Sequence, residues 1–289
     1  LMLGASGGPR IAGNVVTAGP GIPRIEGRIL REGAGRATAR LRMAEYRAGD
    51  ARIALPELVL VQERGGAVGF SGRAALSGAI PGGRIDGLTV PIDGTWSSRA
   101  GLSAWRRCLP LRFDRFRLAS LELDRRELSV CPGRDGAILR SDARGTRLSA
   151  GTPGFNLSGR LGTMPIRLTA GPTGLAWPGA LAMRGVAVSL GDPAAPSTLA
   201  IAELKGQLGR ELDGTFSGTE VRLAAVPLDV LDAAGQWRFA GGDLSVAGAS
   251  FRVEDRQVDD RFRPLVARDA TLHLHGSDFA ALALLREPK

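Results

Sequence analysis

The sequence predicts an all-β fold, a long antiparallel meander with little helix. Short apolar runs alternate with polar residues at a period of two, as in strands that bury one face. Glycine accounts for 41 of the 289 residues and proline for 17, and many of them fall between these runs, where turns are expected. Strands do not alternate with helical patterns, which argues against a parallel α/β sheet.

The N-terminal part of the chain contains the clearest strand pattern. Residues 1–21 are rich in Gly, Ala and Pro, and we interpret them as a connection or the end of a preceding repeat. A first strand is expected at 22–30. Within 36–43 the arginines share one parity, while Leu41 and Met43 share the other.

A turn at Gly49-Asp50 leads into residues 51–61, where Ile53 and Leu55 lie on one face. Pairing of the two runs predicts a long antiparallel hairpin. About fifteen strands are expected in all, and we treat 22–289 as one continuous β segment. Only 226–234 and 279–286 are compatible with short helices.

Both cysteines, Cys108 and Cys131, flank a run with strand periodicity, in a unit at about 105–132. The apolar parity changes between Phe113 and Leu118, which predicts a bulge or corner. If the strands fold back side by side, the cysteines can be bridged, and closing this loop stabilises the fold by about 3 kcal/mol through the unfolded state. The alternative is two small buried residues that never meet.

The net charge of +9 and the pI near 11.0 raise the question of a nucleic-acid partner. All but two of the 38 basic residues are arginines, and these are scattered over solvent-facing parities rather than clustered. Basic residues are not interleaved with aromatic ones, as they are in proteins that stack bases. We therefore predict no nucleic-acid partner, whereas contact with anionic lipid headgroups is compatible with the charge.

Candidate chemistry is sparse. His273 and His275 are the only histidines and share one strand parity, but a zinc site needs further ligands. Asp269 and Asp278 are near in sequence and could serve only if the fold brings them close, whereas solvent-facing positions opposite Leu272 and Leu274 explain the two histidines more simply. Neither a Cys-x-x-Cys pair, a phosphate-binding glycine loop nor a Gly-x-Ser-x-Gly turn occurs. We predict a protein without catalytic residues, metal or cofactor.

Residues 40–139 resemble the YdbH-type intermembrane phospholipid transport proteins of the AsmA-like superfamily. The resemblance is carried by the segments "YRAGDARIALPELVLVQERGGAVGFSGRAALSGAIPGGRIDGLTVPIDGTW", "RRCLPLRFDRFRLASLEL" and "LSVCPGRDGAILR". It implies a periplasmic bridge between membranes, anchored in the inner membrane, whose sheet is bent into a long, taco-like groove. Phospholipids are the implied cargo, with inner- and outer-membrane proteins as partners at the ends of the full-length protein. This chain is then expected to be an internal segment.

An antiparallel sheet with one apolar face must cover that face with a second layer, either another sheet or acyl chains. With aromatic residues at only 5%, the face is expected to be a smooth wall of aliphatic side chains. The alternative is a structural or adhesive β-solenoid or β-sandwich domain without lipid transport. The predicted lipid-contacting residues are Leu41, Met43, Ile53, Leu55, Phe70, Leu76, Phe113, Leu121, Leu123, Val186, Val188, Leu244, Val246, Leu272 and Leu274.

Overall fold

The computed structural model describes residues 2–3, 9–32, 36–63, 65–80, 82–209, 211–257, 259, 261–275 and 278–288. These residues form 22 β-strands and no helix, which confirms the all-β prediction. The expected number of about fifteen strands is too low, partly because residues 1–21 and 101–104 also contribute strands.

The chain divides into two compact units, Leu1–Ala150 and Gly151–Lys289. The strands of the first unit are β1 (Met2–Leu3), β2 (Pro9–Gly19), β3 (Ile22–Glu32), β4 (Arg36–Ala48), β5 (Ala51–Gln62), β6 (Val68–Ile80), β7 (Gly83–Ser97), β8 (Gly101–Ala104), β9 (Leu109–Leu118), β10 (Leu121–Pro132), β11 (Leu139–Asp142) and β12 (Gly145–Thr152), whose last two residues belong to the second unit.

The strands of the second unit are β13 (Phe155–Leu161), β14 (Met164–Ala170), β15 (Thr173–Trp177), β16 (Gly179–Leu190), β17 (Ser197–Leu208), β18 (Leu212–Arg222), β19 (Leu228–Ala240), β20 (Asp243–Asp255), β21 (Leu265–His275) and β22 (Asp278–Arg286). The continuity of one β segment over 22–289 stays a prediction.

The first unit is built on an antiparallel meander from β2 to β7. The hairpin predicted around Gly49 is confirmed, because Ala48 pairs with Ala51 and Gly49 has a φ of 58°. That left-handed conformation is one that glycine adopts without steric cost. The stretch interpreted as a connection contains β2, which pairs with β3, so the strands begin before residue 22.

The later strands of the first unit, β8 to β12, are attached to one edge of the long strand β7. Its first part pairs with β9 and its last part, from Gly94 to Ser97, pairs with β8. β9 forms a hairpin with β10, and β11 pairs with both β8 and β12. Two short branches of the sheet therefore leave the same edge of β7.

The strands of the second unit also pair in an antiparallel manner. β13 pairs with β14, and both β14 and β15 pair with β16. From β16 to β22 each strand pairs with the next one along the chain. Both segments whose sequence pattern is compatible with a short helix fall in this meander.

The helix interpretation of 226–234 and 279–286 is wrong, since the first lies largely in β19 and the second in β22. In β19, Val230 and Ala233 share a face although they are three residues apart, because the register shifts between them. Apolar residues at a spacing of three imitate the period of a helix. The extra residue of a bulge produces the same spacing in a strand.

The buried apolar residues of the described chain are mostly small, and alanine is the most frequent among them. No large side chain among the described residues is less than 2% exposed. The two layers of a β-sandwich would fill a core with interdigitating large side chains. This pattern does not favour the sandwich alternative.

Candidate functional site

Four consecutive strands of the second unit, β18 to β21, each carry one residue with positive φ near the middle. These residues, which we call the bulge row, are Gly218 (58°), Asp232 (53°), Gly248 (58°) and Asp269 (57°). The strand registers shift at the same places. A bulge adds one residue to a strand and bends it, so each of the four strands is bent at mid-length.

The residue types of the bulge row fit this conformation. Glycine has no Cβ to clash in the left-handed region, and aspartate is one of the few other residues that visit it. The added residue also changes the spacing of apolar side chains from two to three, as between Val246 and Ala249 in β20. The same face of the sheet is therefore apolar on both sides of the bend.

A cavity of about 780 Å³ lies against this apolar face. Its size is within the range of about 300 to 1,000 Å³ that is usual for ligand cavities. Among the described residues that line it none is charged, and apart from the Trp237 indole only two threonines have polar side chains. The lining residues are Leu199, Ile201, Leu204, Phe216, Thr219, Val221, Leu223, Val230, Ala233, Trp237, Leu244, Val246, Ala249, Phe251, Ala270, Thr271, Leu272, Phe279, Ala281, Leu282 and Ala283.

The deepest part of the cavity lining consists of small residues beside the bulge row. Ala233 and Ala249 are each 7% exposed, Ala270 is 5% exposed and Thr219 is 5% exposed. Larger side chains such as Leu282, which is 75% exposed, lie farther out. Small residues at the bend leave volume open between two walls of larger aliphatic side chains.

Trp237 is fixed in the lining by a polar contact at its edge. Its Nε1 donates a hydrogen bond to the backbone oxygen of Lys205 at 3.1 Å. The indole lies against Gly206, where an added Cβ would come within 2.7 Å of the Trp237 ring. Glycine at position 206 is therefore required for the ring to lie flat against the sheet.

The opposite face of the same sheet is charged. Glu203 lies 2.7 Å from the Lys205 ammonium, which donates a hydrogen bond to it and holds its pKa below the usual range. Asp229 accepts hydrogen bonds from Arg222 at 3.0 and 3.2 Å, and this contact raises the pKa of the Arg222 guanidinium. The sheet therefore has one apolar face and one solvated, ion-paired face.

The family model described as "YdbH-like: Intermembrane phospholipid transport protein YdbH" matches residues 1–286. The chain belongs to the YdbH-like family. No curated protein and no solved structure matches the chain. Membership implies phospholipid transport between membranes and a location in the cell envelope, and it confirms the resemblance seen in the sequence.

The predicted site residues of this YdbH-like chain fall on the apolar faces to different degrees. In the second unit Leu244, Val246 and Leu272 line the cavity. Leu274 pairs with Leu244 and so lies on the same face beyond the lining. Val186 and Val188 likewise share that face, since they pair with Ile201 and Leu199, which do line the cavity.

In the first unit the register brings predicted residues together in pairs. Met43, which is 6% exposed, pairs with Leu55, and Ile53 pairs with Leu76. Leu41 pairs with Leu58 and Phe70 with Leu60. Two residues that the sequence analysis did not name, Leu58 and Leu60, therefore continue this face. Register shifts within β4 and β5 hid them from a strict period of two.

The cysteine-bearing unit is a disulfide-bonded hairpin. Cys108 and Cys131 are joined by an S–S bond of 2.02 Å, so the alternative of separate cysteines is wrong. Leu121 pairs with Leu118 and Leu123 with Phe116, whereas the apolar pairs near the disulfide have the other parity. Phe113 and Leu123 are buried, at 5% and 6% exposure. The apolar parity thus changes in both strands of the hairpin, but their register has no shift, so the bulge expected between Phe113 and Leu118 is not seen in this pairing.

The two histidines lie on the exposed face of β21. His275 contacts Asp243 through Nδ1, and this hydrogen bond raises the pKa of the His275 imidazole. His273 pairs with Ser245 across the strands. Within the described ranges no group of three His, Cys, Asp or Glu side chains is placed to hold a metal ion. Those residues also include no helix long and apolar enough to span a membrane.

Proposed function

We propose that this chain shields phospholipid acyl chains on the apolar faces of its sheets, as part of a periplasmic bridge between the inner and outer membranes. The observation that carries the proposal is the cavity of the second unit, whose described lining residues around the bulge row are uncharged and mostly aliphatic. The proposed role is transfer of lipid along the groove, without a chemical step.

The hydrophobic effect supplies the driving force for acyl chains on this face. Each buried methylene contributes about 0.8 kcal/mol relative to water, so shielding ten methylenes on one side only still amounts to several kcal/mol. Most of the lining is aliphatic and contains no ladder of aromatic rings. Such a surface accepts acyl chains of different length and saturation, because it has no pocket shaped for one particular acyl chain.

The headgroup is proposed to remain on the solvent side of the groove. Of the lining residues that the structure describes, only Thr219 and Thr271 have polar side chains besides the Trp237 indole, and the indole N–H is already bonded to Lys205. Burial of a charged phosphate without partners is expensive. The groove of the second unit therefore binds tails and does not select headgroups.

The first unit is proposed to present a similar face. The pairs Met43–Leu55 and Ile53–Leu76 follow one another across β4, β5 and β6. We include all fifteen sequence-predicted residues, among them Phe113, Leu121 and Leu123, as lipid-contacting.

The periplasmic location, the inner-membrane anchoring of the full-length protein and partner proteins at each membrane are further parts of the proposal. The disulfide between Cys108 and Cys131 supports an oxidising compartment, because such bonds persist outside the cytosol. Family membership supports an envelope protein that works between two membranes.

Photocrosslinking tests the proposal on one matched set of positions. Val246 pairs with Leu272 toward the cavity, and the adjacent pair, Ser245 and His273, lies on the opposite face. A diazirine side chain at 246 or 272 is expected to crosslink to phospholipid in cells, and one at 245 or 273 is not. In the first unit, position 41 is compared with position 40 in the same way.

Equal crosslinking from both faces would refute the groove, and so would crosslinking from neither. Native mass spectrometry of the purified protein provides an independent readout, since lipid held in the cavity is expected to co-purify with it.

A further inference from the structure

A small polar pocket lies in the first unit, where β7, β8 and β11 meet. Its volume is about 150 Å³, and its lining includes Thr95, Ser103, Arg106, Arg140 and Asp142. We propose that this pocket binds a phosphate group, either as free phosphate or as the phosphate of a phospholipid headgroup. The inference is independent of acyl-chain binding on the apolar faces.

The strand register builds the pocket. Thr95 pairs with Ser103, Ser103 with Arg140, and Arg140 with Arg147. Paired residues of neighbouring strands project from the same face of a sheet, so two hydroxyl groups and two guanidinium groups form one row across β7, β8, β11 and β12. Phe70 pairs with Gly94, the residue before Thr95, which places this row on the face opposite Phe70.

Three polar atoms of this row are buried without a partner. Ser103 Oγ, Arg140 Nε and Arg147 Nε are inaccessible and make no hydrogen bond. A buried donor left unpaired costs about 1 to 3 kcal/mol, and more when the group is charged. Two of these atoms belong to residues that line the pocket, Ser103 and Arg140, and Arg147 is the next residue of the row, which indicates that the row is completed by a ligand with several acceptor oxygens.

The charge of the pocket points to an anion. Arg140 lies directly opposite Arg147, and like charges in this position destabilise a sheet. Asp142 is the one carboxylate among the described lining residues, and it accepts hydrogen bonds from Arg147 Nη2 at 2.7 Å and from the backbone N–H of Arg144 at 2.8 Å. Among the described residues no carboxylate forms an ion pair with Arg106 or Arg140, so positive charge remains in excess.

Phosphate suits these groups better than a larger ligand does. Guanidinium groups bind phosphate oxygens through pairs of parallel hydrogen bonds, and hydroxyl groups such as that of Ser103 donate one more. A volume of about 150 Å³ is below the range of about 300 to 1,000 Å³ for drug-sized ligands. It accommodates one phosphate group and leaves the remainder of a lipid outside.

Gly101 is required for the close approach of two strands at this pocket. It has a φ of 72°, and a Cβ at this position would lie 2.2 Å from the backbone oxygen of Ser141. Only glycine therefore allows β8 to approach β11 closely enough for Ser103 and Arg140 to share a row.

The test is isothermal titration of the full chain at low ionic strength with two probes, inorganic phosphate and glycerophosphoethanolamine. The first is the free anion and the second is a soluble phospholipid headgroup. Wild-type protein is expected to bind at least one of them, more weakly as salt is added. Binding of phosphate alone assigns the pocket to the free anion, whereas binding of the diester assigns it to headgroups. Binding of neither probe would overturn the proposal.

The matched variants are Arg140→Gln and Arg144→Gln, which remove the same charge from the same hairpin. Arg140→Gln is expected to weaken binding at least tenfold, and Arg144→Gln, whose side chain is exposed, is expected to bind as wild type. Equal loss in both variants, or no loss in Arg140→Gln, would refute the site.

If Arg140→Gln does not fold, Ser103→Ala takes its place, with a phosphate-dependent rise of Tm as the readout. That rise is expected to be smaller in Ser103→Ala than in wild-type protein, and an unchanged rise would count against the pocket. Lipid crosslinking from position 246 is expected to be unaffected, so failure of this inference is distinguishable from failure of the groove.

Discussion

At the scale of single residues, Asp232 and Asp269 show how this chain uses aspartate where glycine is the usual choice. Both have positive φ in the middle of a strand, and Asp269 forms no ion pair or hydrogen bond within the described chain. Its contribution is therefore conformational rather than electrostatic. Asp232 lies 3.7 Å from the Arg252 guanidinium and combines both roles.

Replacement of Asp269 by valine tests this contribution. A β-branched residue pays about 1 to 2 kcal/mol in the left-handed region, so Asp269→Val is expected to lower the free energy of unfolding by that amount in urea titrations. Asp269→Gly is the control and is expected to be at least as stable as wild type. Equal stability of the valine and glycine variants would show that residue 269 does not need this conformation.

A second residue-scale prediction concerns acid stability and Asp255. The Arg261 guanidinium donates hydrogen bonds to its carboxylate at 2.6 and 3.1 Å, and the backbone N–H groups of Gln257 and Arg261 donate two more. These contacts hold the pKa of Asp255 far below its ordinary value of 3.8. A lowered folded-state pKa contributes stability that is complete above the unfolded pKa and is lost as the pH falls through the folded one.

Asp255→Asn is therefore expected to destabilise the protein near pH 7 and to reduce the loss of stability between pH 5 and pH 2 (roughly the window set by an unfolded pKa near 3.9). Denaturant titrations across this range measure the effect. An unchanged pH profile in Asp255→Asn would show that the carboxylate is not linked to folding.

At the scale of the strand, β22 offers two exposed leucines with different surroundings. Leu282 is 75% exposed and lines the cavity, whereas Leu284 is 62% exposed and pairs with Arg268 outside it. Leu282 and Leu284 share one parity in β22, because the register shift between Arg268 and Thr271 adds its extra residue to β21, so the two positions differ in whether they line the cavity and not in parity. Because both are already exposed, a charge at either position is expected to disturb folding little.

The matched variants Leu282→Asp and Leu284→Asp follow from this difference. Leu282→Asp places a carboxylate beside the proposed acyl chains, where an unpaired charge is costly, and is expected to reduce the lipid that co-purifies with the protein. Leu284→Asp is expected to retain wild-type lipid. Mass spectrometry of extracted lipid compares the two, and equal occupancy would contradict the placement of the cavity.

The strands show which features of the fold can be predicted from the sequence alone. Strict alternation was enough to predict the β4–β5 hairpin, because Gly49 marks the turn and Leu41 and Met43 follow a period of two. The same rule failed at Val230 and Ala233, because a bulge changes their spacing from two to three and the pattern then resembles that of a helix. The bulge itself depends on the neighbouring strands, which set the register, and no local pattern contains that information.

The polar pocket was beyond sequence analysis for a similar reason. Thr95, Ser103, Arg140 and Arg147 come from four strands that are separated along the chain, and only the branching of the sheet at β7 brings them into one row. By contrast, the position of Leu244, Val246 and Leu272 on the apolar face was predictable, because the apolar parity of each strand is visible locally, while their contact with lipid stays a prediction.

At the scale of the whole molecule, the accessible surface is 18739 Å². A folded monomer of 30.2 kDa ordinarily exposes about 11,700 Å². Part of the exposed surface is apolar, because large side chains such as Leu282 (75%) and Phe279 (65%) are exposed. A ligand that covers such surface binds the folded state and not the unfolded chain.

Removal of bound lipid is therefore expected to lower the Tm of the protein, and adding phospholipid back is expected to restore it. A ligand at 100 times its Kd stabilises the folded state by about 2.7 kcal/mol, which is large enough to measure by differential scanning calorimetry. A Tm that is the same with and without lipid would show that the apolar faces do not hold lipid in the folded protein.

The bulge row has a consequence for how such a protein changes in length. Because Gly218, Asp232, Gly248 and Asp269 each bend their own strand, the curvature needs no end cap and no outside scaffold. In the proposed groove, duplication of one hairpin would add two strands that are already bent, and the groove would become longer while its cross-section stayed the same. Its length and its width could then evolve separately, the first through the number of hairpins and the second through the size of the side chains beside each bend.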